Sequence, residues 1–268
     1  MSESDFDFRF GGIGRLFGTR ALARLRAAHV CVVGIGGVGS WAVEALARSG
    51  VGKLTLIDLD DICVSNMNRQ LHALNDAVGR AKVEVMAERV RGINPECEVR
   101  AITEFFTEAN SGEMLSHPFD HVVDAIDSVS NKCRLIALCR ERGLPIVVCG
   151  GAGGRRDATH VRVNDLALTS HDRLLQKVRE TLRKDFGFPR GEKKFGIECV
   201  HSPEPPVFPQ CDGGVATTRE EGSDLRLNCE SGFGTATFVT GTFGFVAAQV
   251  VVRALAEKES PAKDAKVG

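Results

Sequence analysis

The residues with the clearest chemical purpose lie between Val32 and Gln70, where an apolar stretch runs into Gly34-Ile35-Gly36-Gly37-Val38-Gly39 and a second one ends at Asp58. A strand can enter a helix this abruptly only where the backbone tolerates positive φ and no Cβ obstructs an approaching phosphate; Gly34, Gly36 and Gly39 meet that need, with Gly37 between them. The helix that follows offers unpaired amides and the positive end of its dipole to an anion. Asp58 lies 19 residues beyond Gly39, where an acid at a strand end accepts ribose hydroxyls. Up to this point the pattern suits a dinucleotide enzyme, or a tight turn that binds nothing. The next loop favours a triphosphate. Hydride transfer asks for nothing special there, whereas Asp60, Asn66, Asn68, Arg69 and Gln70 gather an acid, three amides and a guanidinium. Arg69 can fork onto phosphate oxygens, and Lys82 on the following helix supplies a second point charge. A solvated polar loop followed by an ordinary surface lysine is the plainer alternative.

Two further residues carry potential chemistry. His121 to Ile126 reads as a buried strand, which sets Asp127 at its carboxyl end, where open α/β sheets hold their ligands. A hard oxygen there suits magnesium, although Asp127 could instead cap the helix that follows, as could Ser128 or Ser130. Cys229 stands just before Ser231-Gly232-Phe233-Gly234, outside any apolar run, and a thiol exposed near a helix N-terminus becomes more nucleophilic. An inert loop cysteine is the alternative. Cys31, Cys133, Cys139 and Cys149 fall inside apolar patterns and are expected to pack as small hydrophobes. With nine cysteines, an acidic N-terminus and no apolar leader, reduced thiols in a cytoplasmic protein are expected. The absence of any C-x-x-C spacing predicts no zinc site.

The elements that must position these groups follow a βαβ rhythm. Strands are expected near Val30, Leu54, Val99, Val122 and Val147, with helices over 38–48, 78–94 and 130–142, giving an α/β, Rossmann-like, largely parallel sheet with flanking helices. The chain divides into a lead-in (1–28), an ATP-binding core (29–154), a C-terminal part continuous with the same domain (155–257) and a polar tail (258–268). A composition of 43% hydrophobic and 26% charged residues is ordinary for a globular protein, and a net charge of −1 excludes global attraction to nucleic acid. Charge is nevertheless uneven. Gly151 to Phe195 holds eleven Lys or Arg against six Asp or Glu. Arg173, Lys177, Arg179, Arg183 and Lys184 fall on a predicted helix whose apolar face is Leu174, Leu175, Val178 and Leu182, either a solvated face or a surface for a polyanion such as RNA. Residues 231–252 carry no charge, but their glycines and threonines and the lack of a basic flank predict a buried helix, with no membrane span expected.

The glycine turn, Leu56-Ile57-Asp58-Leu59-Asp60, Ser65-Asn66-Met67-Asn68-Arg69-Gln70, Gly79-Arg80-Ala81-Lys82 and Asp124-Ala125-Ile126-Asp127-Ser128 together resemble the ubiquitin-activating-enzyme-like superfamily, which contains the molybdopterin- and thiamine-pathway adenylyltransferases. Five ordered motifs over about 100 residues are far more specific than a lone glycine fingerprint. The resemblance implies ATP-dependent adenylation of a carboxylate. Asp58 would then hold the ribose, Asn66, Arg69 and Lys82 the phosphates, and Asp127 the Mg2+ ion. It also implies a homodimer in which Arg9 or Arg15 reaches the partner's triphosphate. Arg9-Phe10-Gly11-Gly12, Cys149 to Gly154, Cys199 to Pro209 and Cys229 to Thr237 further resemble the bacterial tRNA threonylcarbamoyladenosine dehydratases, a branch of that superfamily. On that resemblance the carboxylate belongs to the threonylcarbamoyl group of an anticodon-loop adenosine in tRNA, and the carbamoyl group closes a ring with loss of water. Cys229 would accept either the activated acyl group, as a catalytic residue, or sulfur, in a relay with a cysteine desulfurase or sulfur-acceptor protein. An adenylyltransferase for a ubiquitin-like sulfur carrier is the alternative, disfavoured by the absent zinc cysteines and the basic segment.

Overall fold

The computed structural model describes residues 3–210, 212–218 and 233–257. Two helices, α1 (Glu3–Phe17) and α2 (Thr19–Ala27), precede β1 (His29–Val33), α3 (Gly39–Arg48), β2 (Lys53–Ile57), α4 (Lys82–Ile93), β3 (Glu98–Ile102), α5 (Ser111–Met114), β4 (His121–Asp124), α6 (Val129–Glu141) and β5 (Ile146–Cys149). After these come β6 (Arg162–Asp165), α7 (Arg173–Asp185), β7 (Glu198–His201), the short pair β8 (Phe208–Pro209) and β9 (Val215–Ala216), and α8 (Thr237–Glu257). The main sheet has seven strands in the order β3-β2-β1-β4-β5-β7-β6, parallel except for the β6 edge.

The central strands are short apolar runs because helices cover both faces of the sheet. Alternation along β1 sorts its side chains: Val30 and Val32 join α3, α4 and α8 in one core, while Cys31 and Val33 join Leu115, Leu135 and Leu138 on the other side. Cys133, Cys139 and Cys149 are buried as expected, and burial pushes each thiol up to about 12, which leaves them inert. The uncharged C-terminal stretch forms α8, which packs mainly on α3. It is long and apolar enough to cross a membrane, yet most of its apolar stretch is buried inside the protein.

Three boundaries differ from the sequence expectations. α4 starts at Lys82 rather than at residue 78, because Gly79 takes a positive φ of 82° and Ala81 bridges to Asp61. β4 ends at Asp124, so Asp127 lies in the loop beyond the strand rather than at its tip. The sheet also continues past residue 154, since β7 adds to β5 and β6 pairs back on β7. Cys211, Cys229 and the tail lie outside the described residues.

Candidate active site

The chain leaves β1 toward β2 on one side, while its neighbour β4 leads to β5 on the other. The loops after β1 and β4 therefore diverge and open a crevice at the carboxyl ends of the strands. Their closest approach explains a glycine: Gly34 has φ 90°, and a Cβ there would sit 2.7 Å from the Ala125 carbonyl oxygen. Gly39 begins α3 directly against the Gly34 carbonyl, which leaves no room for a side chain either.

The crevice widens into a cavity of about 1000 Å3. Gly34, Gly36, Gly37, Asp58, Asp60, Asn66, Arg69, Lys82 and Asp127 all line it, while Gly39 lies behind the turn as the first residue of α3. Asp58 locks the turn: one carboxylate oxygen accepts from Ile35 N at 2.6 Å and the other from Asp60 N at 2.9 Å. Burial raises its carboxyl above the ordinary range, against the pull of Lys82 and of these two amides. Lys82 is 5% exposed and donates to Asp60 at 2.7 Å. The two expected phosphate-loop groups thus brace each other.

Asn66 is buried and accepts from Cys63 N at 3.1 Å, closing the helical turn that shapes the loop. Arg69 donates through one nitrogen to Ser65 O at 2.7 Å and Asn68 Oδ1 at 3.0 Å. Its carbonyl is fixed from afar, accepting from Trp41 Nε1 at 3.0 Å and Thr240 Oγ1 at 3.3 Å, while Thr237 donates to the Asn68 carbonyl. α8 therefore stitches the arginine loop to α3.

Asp127 is exposed, and the capping position of α6 belongs to Ser128 instead. Behind it lies a pair that sequence reading missed. Lys132 and Asp124 are both fully buried and 2.8 Å apart. Lys132 also donates to Ile126 O at 2.8 Å, and Asp124 accepts from Ile126 N at 3.0 Å, so the peptide just before Asp127 is held on both sides. Also missed were Cys63, Arg155 and Asp172, all on the cavity wall.

The basic helix needs a correction. α7 forms with Leu175, Val178 and Leu182 buried, but two of its expected outward charges are spent inside the fold. Arg179 donates to Thr169 Oγ1 at 2.5 Å, and Arg183 donates to Pro189 O and Gly191 O at 3.3 and 3.1 Å. Arg173, Lys177 and Lys184 remain exposed. Arg9 pairs with Asp5 at 3.2 Å, and neither Arg9 nor Arg15 lines the cavity.

A family model described as the ThiF family matches residues 13–267. A tRNA threonylcarbamoyladenosine dehydratase of Haemophilus influenzae is 51% identical over 96% of this chain and 96% of its own. One of Escherichia coli is 53% identical over 93% and 94%. The structure of the Escherichia coli tRNA N6-threonylcarbamoyladenosine dehydratase in complex with ATP superposes with a TM-score of 0.84 at 49% identity, covering 95% of this chain and 96% of that one. Its complex with AMP matches with the same TM-score at 50% identity.

Proposed function

Because this chain belongs to the ThiF family, along nearly its whole length, we propose that it is a tRNA threonylcarbamoyladenosine dehydratase that works by ATP-dependent adenylation of the substrate carboxylate. The observation that carries this reading is the gathering of five separate sequence motifs around one cavity at the β1/β4 switch point. ATP sits with its phosphates on the glycine turn and the N-terminus of α3, and its ribose on Asp58. Asn66 shapes the loop from which Arg69 reaches the phosphates.

A carboxylate is a poor electrophile until one of its oxygens becomes a leaving group. It attacks the α-phosphorus, the bond to pyrophosphate breaks, and an acyl-adenylate results. Arg69 and Lys82 offset the charge that shifts onto the departing pyrophosphate. Lys82 then exchanges part of its contact with Asp60 for phosphate oxygen. The carbamoyl group, already on the same substrate, closes onto the activated carbonyl and AMP leaves. This step needs orientation and exclusion of water more than an external nucleophile. Among the described residues no cluster of three His, Cys, Asp or Glu side chains could hold a metal ion alone. One exposed carboxylate beside a triphosphate nonetheless fits Mg2+, which usually takes one or two carboxylates together with substrate phosphates. Asp127 would hold it, and the ion would supply charge neutralisation at the phosphates.

The finer parts of the reading concern partners. The exposed Arg173, Lys177 and Lys184 would meet tRNA phosphates. Phe8, 90% exposed, and Leu16, 73% exposed, give α1 an apolar surface suited to a homodimer in which Arg9 or Arg15 crosses to the partner's site. The protein would act in the cytoplasm. Cys229 would accept sulfur from a cysteine desulfurase rather than serve ring closure; a Cys229→Ser variant that no longer forms cyclic product would overturn that division. The whole reading is tested by mass spectrometry of nucleosides from tRNA incubated with the protein, ATP and Mg2+. The expected result is conversion of threonylcarbamoyladenosine to a species lighter by one water only when ATP is present. Unchanged nucleoside would refute it.

A further inference from the structure

The cavity has a second end that the nucleotide residues do not occupy. After β5 the chain runs through Gly150 to Gly154 into Arg155, and β5 lies two strands from β1, about 10 Å along the sheet. Arg155 is only 4% exposed. One of its terminal nitrogens donates to the His171 carbonyl at 2.6 Å. Its Nε and the other terminal nitrogen have no hydrogen-bond partner and are closed off from water. A guanidinium stays charged, so two buried donors on a cation are left uncompensated, a costly arrangement in a protein interior.

The nearby carboxylates do not resolve it, because both are committed elsewhere. Asp172 accepts from Gly151 N at 2.8 Å with one oxygen and from Leu175 N, at the start of α7, at 2.9 Å with the other. Glu204 accepts from Arg156 N and Asp157 N at 3.1 Å each. Neither forms an ion pair with Arg155 among the described residues. The positions beside Asp172 are also kept small. A Cβ on Gly150 would run into the Asp172 carboxylate, and Gly151 stands beside the same group. His171, whose carbonyl takes the one bond Arg155 makes, has a φ of 54°, a left-handed conformation costly for a residue with a Cβ. Arg155 is thus anchored by a single bond, with the rest of its hydrogen-bonding capacity unfilled.

We propose that Arg155 is a specificity-determining residue that receives the free carboxylate of the modified adenosine and holds it for attack on the nucleotide. This rests on the dehydratase reading above and adds the group that selects the acyl substrate. A tRNA backbone phosphate is a poorer match, since Arg155 lines the same cavity as the nucleotide residues, where the group to be activated must lie. The nucleotide phosphates have their own cations in Arg69 and Lys82 at the other end of the cavity.

The test uses the full-length protein, Arg155→Gln and Arg155→Lys, with two ligands: the free nucleoside N6-threonylcarbamoyladenosine and its analogue in which the carboxylate is a neutral carboxamide. Wild type should bind the carboxylate form at least about tenfold more tightly than the amide, as a charge-assisted bond to a buried group implies. Arg155→Gln should bind the two alike, and Arg155→Lys should recover part of the preference. KM for modified tRNA should rise in Arg155→Gln while ATP affinity stays within about twofold. Retained discrimination in Arg155→Gln, or a loss confined to ATP affinity, would overturn the assignment. Wild-type protein that makes no cyclic product would instead overturn the dehydratase reading and, with it, the substrate named here.

Discussion

Charge at the scattered positions of the phosphate loop is where the chemistry is most sensitive. Arg69→Ala and Lys82→Ala should each lower kcat/KM for ATP-dependent turnover by a factor of order 10² or more, as removal of a group that stabilises transition-state charge does. Steady-state kinetics on purified, folded variants checks this, and wild-type rates in both would remove them from the mechanism. The two should differ in one respect. Lys82 is paired with Asp60 at 2.7 Å, so its loss strands a half-exposed carboxylate near the phosphates and should weaken ATP binding, whereas Arg69 holds itself on Ser65 and Asn68. These residues were legible in the sequence because each belongs to a short local motif whose spacing is fixed by strand and turn geometry. Arg155, Lys132 and Asp172 were not. Their significance comes from contacts across the fold and from what they lack, such as the unpartnered nitrogens of Arg155, and no spacing rule encodes an unfilled hydrogen bond.

Among the elements, α8 and α7 carry the strongest consequences. α8 approaches α3 so closely that a Cβ on Gly244 would lie 2.5 Å from Val38 O and 2.7 Å from Trp41 Cβ. Gly244→Ala should therefore cost about 1–3 kcal/mol through overpacking and lower Tm in calorimetry. Because Thr240 and Trp41 hold the Arg69 carbonyl, the same variant should also raise KM for ATP. The apolar character of α8 was plain from its sequence, but its grip on a loop 171 positions away was not, since that contact exists only once the sheet has formed. On α7 the distinction between spent and available charge decides the test. Lys177→Glu with Lys184→Glu should raise KM for tRNA and flatten its salt dependence, because phosphate contacts release counterions, and ATP affinity should not move. Arg179 and Arg183 bind the fold itself, so their loss should first appear as reduced stability. Sequence periodicity separated the apolar from the polar face of this helix but could not say which polar residues turn back onto neighbouring loops.

For the whole molecule, the buried histidines set a pH dependence. Burial, with Lys82 adding to it for His72, lowers His72 and His121 from their ordinary value to about 4. The unfolded chain thus takes up protons near pH 6.5 that the folded protein refuses until about pH 4. Each histidine contributes stability that is present above pH 6.5 and declines as pH falls, by up to about 1.4 kcal/mol per unit. Asp58 and Asp124, whose carboxyls burial raises, act in the opposite sense. The readout is therefore the difference between variants: Tm of His72→Gln should fall less than that of wild type between about pH 6.5 and 5. At this scale the sequence was most legible, since alternating apolar strands and amphipathic helices required a parallel sheet, although the antiparallel β6 edge depended on a pairing that local pattern does not specify. The central claim is that the substrate carboxylate is adenylated, and it is tested most directly by tracing oxygen. Modified tRNA whose threonylcarbamoyl carboxylate carries heavy oxygen is turned over with ATP, and the released nucleotide is weighed. Carboxylate adenylation predicts AMP bearing one heavy oxygen for each cyclic nucleoside formed, with unlabelled pyrophosphate. Unlabelled AMP, or ADP with labelled inorganic phosphate, would contradict it.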